Sequence, residues 1–143
     1  MTARQIIEHS LHTHSTATGF DMPWLLEQYL VDLVTDNLRT TELTPWGTWA
    51  EGYLRLYSAT KISDFRCYGD HALLFCSIMP EYGDRRGLDL SYYASLGISA
   101  YYTAGDLAHD SRYTELGNWF YHLQKFLDSW LHHSKRLQLC TVA

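Results

Sequence analysis

Ala72-Leu73-Leu74-Phe75-Cys76-Ser77-Ile78-Met79 is the stretch that decides how this chain folds. It is entered through Gly69-Asp70-His71 and left through Pro80-Glu81-Tyr82-Gly83-Asp84-Arg85-Arg86-Gly87. A helix that is apolar on every side belongs inside a core. The run is therefore read as a buried central helix, roughly Asp64 to Met79, stopped by Pro80. Asp70 and His71 then stand at the mouth of the core, and the charged loop is held between two buried elements.

Outward from this helix the chain keeps helical periodicity. On the C-terminal side, about Asp89 to His109, small residues recur every four positions at Ala100, Ala104 and Ala108, with Gly97 and Gly105 nearby. Small side chains permit close approach, so this helix is expected to pack on the central one. The last helix, about Arg112 to Leu139, carries Leu116, Trp119, Phe120, Leu123, Phe126, Leu127, Trp130, Leu131 and Leu137 on a wide apolar face. On the N-terminal side, Thr44-Pro45 is a capping residue followed by proline at the first helical position. Trp46, Trp49, Ala50, Tyr53, Leu54 and Tyr57 then form a stripe. An earlier helix starts at Asp21, with Pro23 in its first turn. It repeats Leu26, Tyr29, Leu30, Leu33, Val34 and Leu38 at helical spacing. Residues 1–18, rich in His, Ser and Thr, read as an N-terminal segment with the look of a mobile tail. No stretch alternates with period two for long enough to demand a strand. The expected fold is all-α, a single-domain helical bundle of five to six helices with a buried central helix.

Composition narrows the function classes. The 143 residues suit one domain, and 46% hydrophobic content supports a packed core. A formal charge of -5 argues against a nucleic-acid partner, since no basic stripe extends beyond Arg85-Arg86 and Lys135-Arg136. Three cysteines, Cys67, Cys76 and Cys140, show no CxxC spacing, which fits a reducing compartment. The N-terminus lacks the apolar core of a signal peptide, and no apolar run approaches the ~20 residues of a membrane span. The expectation is a cytoplasmic protein. Cys140-Thr141-Val142-Ala143 fits a prenylation box only loosely, and an ordinary C-terminal tail is the preferred reading.

Three groups of residues are candidate sites. Asp70 and His71 could act as a buried acid and an adjacent base or ligand. Adjacent helical residues point about 100° apart, however, and the preferred reading is that Asp70 accepts a bond from Arg66 or from the 80–90 loop. Glu81, Arg85 and Arg86 could hold a carboxylate or phosphate, or pair among themselves and tie the loop to the bundle. Asp106, His109 and Asp110 fall at i, i+3 and i+4, so they share one helix face and offer nitrogen and oxygen ligands to a divalent metal. The same residues suit an ordinary polar helix end, with His109 favouring the C-terminal dipole. The other six histidines (His9, His12, His14, His122, His132 and His133) read as surface residues. Tyr92-Tyr93 and Tyr101-Tyr102 should each turn one ring inward and one outward.

Two resemblances follow from these residues. His71, the His109-Asp110 pair and Asp128 resemble the scattered ligand set of the HD-domain phosphohydrolases, which are also all-α. The gap to Asp128 is shorter than in that family, and Ser111-Arg112 after the pair departs from it. This resemblance implies a divalent-metal site on His71, His109, Asp110 and Asp128; joined with the spacing of Asp106, the metal alternative places His71, Asp106, His109 and Asp110 on one ion. Separately, Gly69-Asp70, Pro80-Glu81, Arg85-Arg86-Gly87, Asp89, Tyr92-Tyr93, Leu96-Gly97 and Ala100-Tyr101 resemble a group of small bacterial proteins. That resemblance implies a helical, cytoplasmic bacterial protein and no known activity.

No complete nucleophile–base–orienter set or phosphate loop is visible. Eleven tyrosines and five tryptophans exceed what a small core clearly needs. The favoured expectation is a non-enzymatic protein-interaction or regulatory module without a cofactor, self-associating as a homodimer or docking a protein partner. The alternatives are the metal-dependent phosphohydrolase and a small anionic-ligand binder using the 80–90 loop.

Overall fold

The computed structural model describes residues 2–37, 61–78 and 90–142, and the side chains of 2–37, 61–77 and 91–133. The chain is all-α. Among the described residues, five helices run in the order α1 (Ala3–Thr18), α2 (Trp24–Asn37), α3 (Ile62–Ile78), α4 (Leu90–Ala108) and α5 (Ser111–Val142), and there is no strand. No described helix is long and apolar enough to cross a membrane. The stripe expected between Trp46 and Tyr57 lies outside the described residues, as do positions 80–89 of the charged loop. Two compact units share the chain, one within Met1–Thr40 and Lys125–Ala143, the other within Thr41–Gln124.

In the second unit α3 is buried as its sequence requires. Ala72, Leu73, Leu74, Phe75, Cys76 and Ser77 are all buried in succession, and Ser77 satisfies its hydroxyl by donating to the Leu73 carbonyl oxygen at 2.7 Å. Burial also pushes the Cys76 thiol up to about 12, so it packs as a small apolar group. Helix α4 packs on α3 as its small residues predict. A Cβ on Gly97 would stand 2.6 Å from the Ala72 Cβ, and one on Gly69 would stand 2.7 Å from the Tyr101 ring. The two helices therefore touch at glycine on both sides. Phe75 and Tyr93 meet edge-on at 5.1 Å across the same interface. On α5, Tyr113, Leu116, Phe120 and Leu123 are buried at helical spacing.

The first unit corrects the reading of residues 1–18. That segment is the sixteen-residue helix α1, with a start and a stop of its own. Thr2 Oγ1 accepts from the Gln5 N–H at 3.2 Å while Gln5 Oε1 accepts from the Thr2 N–H at 2.9 Å, a reciprocal capping box. The helix ends at Gly19, in the left-handed region at φ 71, and the Phe20 N–H closes back on the Ser15 carbonyl at 3.1 Å. Helix α2 starts at Trp24, three residues after the expected cap Asp21, with the Pro23 carbonyl accepting from Leu26 and Glu27. Polar contacts join α1 to α2: Arg4 reaches Asp32 at 2.8 Å and Gln28 at 2.9 Å, and His12 Nδ1 lies 3.0 Å from Glu27. The core of this unit takes Leu11 from α1, Leu26, Leu30, Val31, Leu33 and Val34 from α2, and Phe126, Leu127 and Trp130 from α5.

Candidate functional site

The most concentrated chemistry in the described residues lies in the first unit, where α1 faces the C-terminal part of α5. Leu11 and His14 are three residues apart, so they share the buried face of α1. His14 is only 8% exposed. Its Nε2 and the Ser129 hydroxyl are hydrogen-bonded at 2.9 Å. Its ring lies 5.4 Å from Phe126 and 5.6 Å from His133, centroid to centroid. One turn earlier, Ser10 Oγ accepts from Trp130 Nε1 at 2.9 Å, so the indole is fixed by its only donor. Phe20 stacks on Phe126 at 5.0 Å, where the chain leaves α1.

Ser10, His14 and Trp130 also line a groove of about 450 Å3, together with Ile6, Ala17 and the imidazoles of His9 and His133. Burial, and secondarily the neighbouring His133, hold the His14 imidazolium below its ordinary value. His14 is thus neutral at pH 7. If Ser129 donates to Nε2, the proton of His14 sits on Nδ1. The expectation of a surface residue fails for His14 because its polarity is satisfied by a hydroxyl 115 positions away. The signal was present in the three-residue step from Leu11. Nothing local marked Ser10, Ser129 or Trp130 as its neighbours.

In the second unit, Asp70 Oδ1 accepts from the Tyr101 hydroxyl at 2.7 Å, and Tyr101 is fully buried. This tyrosine, thirty-one positions away, is a partner for Asp70 that the sequence did not point to. His71 is half-buried beside it. Glu81, Arg85 and Arg86 fall outside the described residues. Tyr93 and Tyr101 turn inward while Tyr92 and Tyr102 turn outward, as expected.

The shared face of Asp106, His109 and Asp110 does not exist. Helix α4 ends at Ala108, and His109 takes the left-handed conformation at φ 51. The Asp110 N–H then bonds the Gly105 carbonyl at 3.2 Å, the six-to-one closure of a Schellman turn. Asp110 is left to cap α5. Its Oδ1 accepts from the Arg112 N–H at 3.0 Å, and its Oδ2 takes the Arg112 guanidinium at 2.7 Å. Those bonds hold its carboxyl below the usual range. A carboxylate so engaged is a helix cap and not an open ligand. Among the described residues no three His, Cys, Asp or Glu side chains gather as metal ligands. The chain matches no protein-family model, no curated protein and no solved structure.

Proposed function

We propose that the protein is a non-enzymatic interaction module whose partner is a second copy of the chain, engaged through the outward tyrosines of α4 and α5. The observation that carries this reading is Tyr102. It is 37% exposed, yet its ring lies over Gly117, where a Cβ would come within 2.6 Å of it, and its hydroxyl donates to Asn118 Oδ1 at 2.6 Å. An exposed ring pinned at both ends gives up little freedom when another surface covers it. Tyr121, 48% exposed, lies four residues beyond Gly117 and therefore on the same face of α5. Tyr92, also on α4, is a further exposed aromatic residue. A self-complementary patch of this kind is the ordinary basis of a two-fold homodimer, and tyrosine is among the residues enriched at such centres.

Sedimentation velocity over a wide concentration range tests the proposal. The wild type should pass from a 16.6 kDa monomer to a dimer. The pair Tyr102→Ser and Tyr121→Ser should weaken that association by at least about tenfold, as removal of two interface anchors does. A monomer at every concentration, or unchanged association in the double variant, would refute the reading.

A further inference from the structure

The histidine-bearing groove of the first unit has no role in the tyrosine surface, and its chemistry selects a ligand. Its walls are apolar at Ile6, Ala17 and Trp130, while three imidazoles line it and, among the described residues, no carboxylate does. In a chain of net charge -5, a concavity lined by histidines without an acid is locally the complement of an anion. His14 is more than nine-tenths buried, its Nε2 is shared with the Ser129 hydroxyl, and its Nδ1 has no partner among the described residues; where Ser129 donates to Nε2, Nδ1 carries the proton and can donate to a ligand. Ser10 Oγ accepts from Trp130, which leaves the serine O–H for another acceptor. The volume of about 450 Å3 lies within the ordinary range for small-molecule pockets.

We propose that this groove binds a small organic carboxylate, with the carboxylate held by the imidazoles of His14 and His133 and the apolar body laid against Trp130 and Ile6. Among the described residues, the titratable groups that face His14 are His133 on α5 and, along the groove, His9 on α1. Two adjacent imidazoles repel each other's protons, and an anion between them reverses that preference. Binding should therefore take up a proton, and affinity should rise as the pH falls from about 8 to about 6.

Phenylacetate and its neutral isostere phenylacetamide are the probes, followed by NMR of the imidazole and indole resonances. Phenylacetate should move the His14, His133 and Trp130 signals saturably. At about pH 6 it should bind about tenfold more tightly than the amide, the scale of one charge-assisted hydrogen bond. His133→Gln should bring phenylacetate down to the level of the amide, and Ala17→Phe, which fills the groove, should abolish both. The acid–amide comparison on the wild type stands even if a variant fails to fold. Equal affinity for acid and amide would overturn the proposal, as would saturable shifts confined to other residues or none at the highest soluble concentration. Shifts of the same groove signals with protein concentration alone would overturn it too, because the occupant would then be a second copy.

Discussion

Gly97→Ala is the sharpest test of how α3 and α4 meet. The added Cβ would stand 2.6 Å from the Ala72 Cβ and 3.0 Å from Phe120 Cε2. Carbon atoms settle at about 3.5–4.0 Å, so the helices must separate by roughly 1 Å or the backbone must shift. Ala72 cannot yield by changing rotamer, because its Cβ is fixed to the backbone. Overpacking of a close-packed core costs about 1–3 kcal/mol, and this site belongs at or above the upper end. Against it stands the helix propensity of alanine over glycine, about 1 kcal/mol in favour of the variant. The net expectation is a loss of about 2 kcal/mol or more, near 6 °C in Tm for a chain of this length. Urea unfolding followed by circular dichroism should show a lower midpoint at unchanged slope. Combining the change with Ala72→Gly should recover about 1 kcal/mol relative to additivity, since the two methyls compete for one space. A Gly97→Ala protein as stable as wild type, or more so, would refute the close approach, because only the propensity gain would remain.

Three further outcomes follow from the second unit. Tyr101→Phe removes a buried hydroxyl from a carboxylate and should cost about 1.5–3 kcal/mol by urea unfolding, the range for a hydrogen bond to a charged group; a neutral result would mean that Asp70 does not need this donor. His109→Gly should raise stability by about 1 kcal/mol, because only glycine adopts the left-handed turn without strain; a loss would show that the imidazole has a role there. Asp110→Ala should cost about 1 kcal/mol at neutral pH as a lost helix cap. The folded carboxyl titrates below its unfolded value, so its contribution is complete above about pH 4 and disappears as the pH falls through the folded value. Wild type and variant should therefore converge in acid, and a difference that persists there would show that capping by the carboxylate is not the cause.

Much of the fold was legible in local pattern. The apolar run of α3 could only be interior, and the alanine spacing of α4 announced a close neighbour. The inward and outward turn of Tyr92-Tyr93 and Tyr101-Tyr102 follows from the 100° step between adjacent helical residues. The start and stop of α1 were also written in the chain, as Thr2 with Gln5 and as Gly19, but its sparse apolar residues concealed it. A helix with Leu11 and His14 as its buried residues is stabilised by the surfaces it lies against and not by its own periodicity. The end of α4 near His109 was legible too, but the left-handed turn there, which carries Asp110 off the face of Asp106, was hidden because neither proline nor glycine stood where the chain turned.

The sequence by itself determined the helices from α2 onward, their apolar faces and the closeness of α3 to α4, because those depend on residues three or four apart. Only the tertiary structure decided that Asp70 meets Tyr101, that Asp110 caps α5 instead of offering a ligand, and that His14 joins Ser129, His133 and Trp130 around one groove. Each of these depends on the length of a helix or on a partner far along the chain. A polar side chain becomes buried only when such a partner takes its hydrogen bond, and no local spacing states where that partner will be.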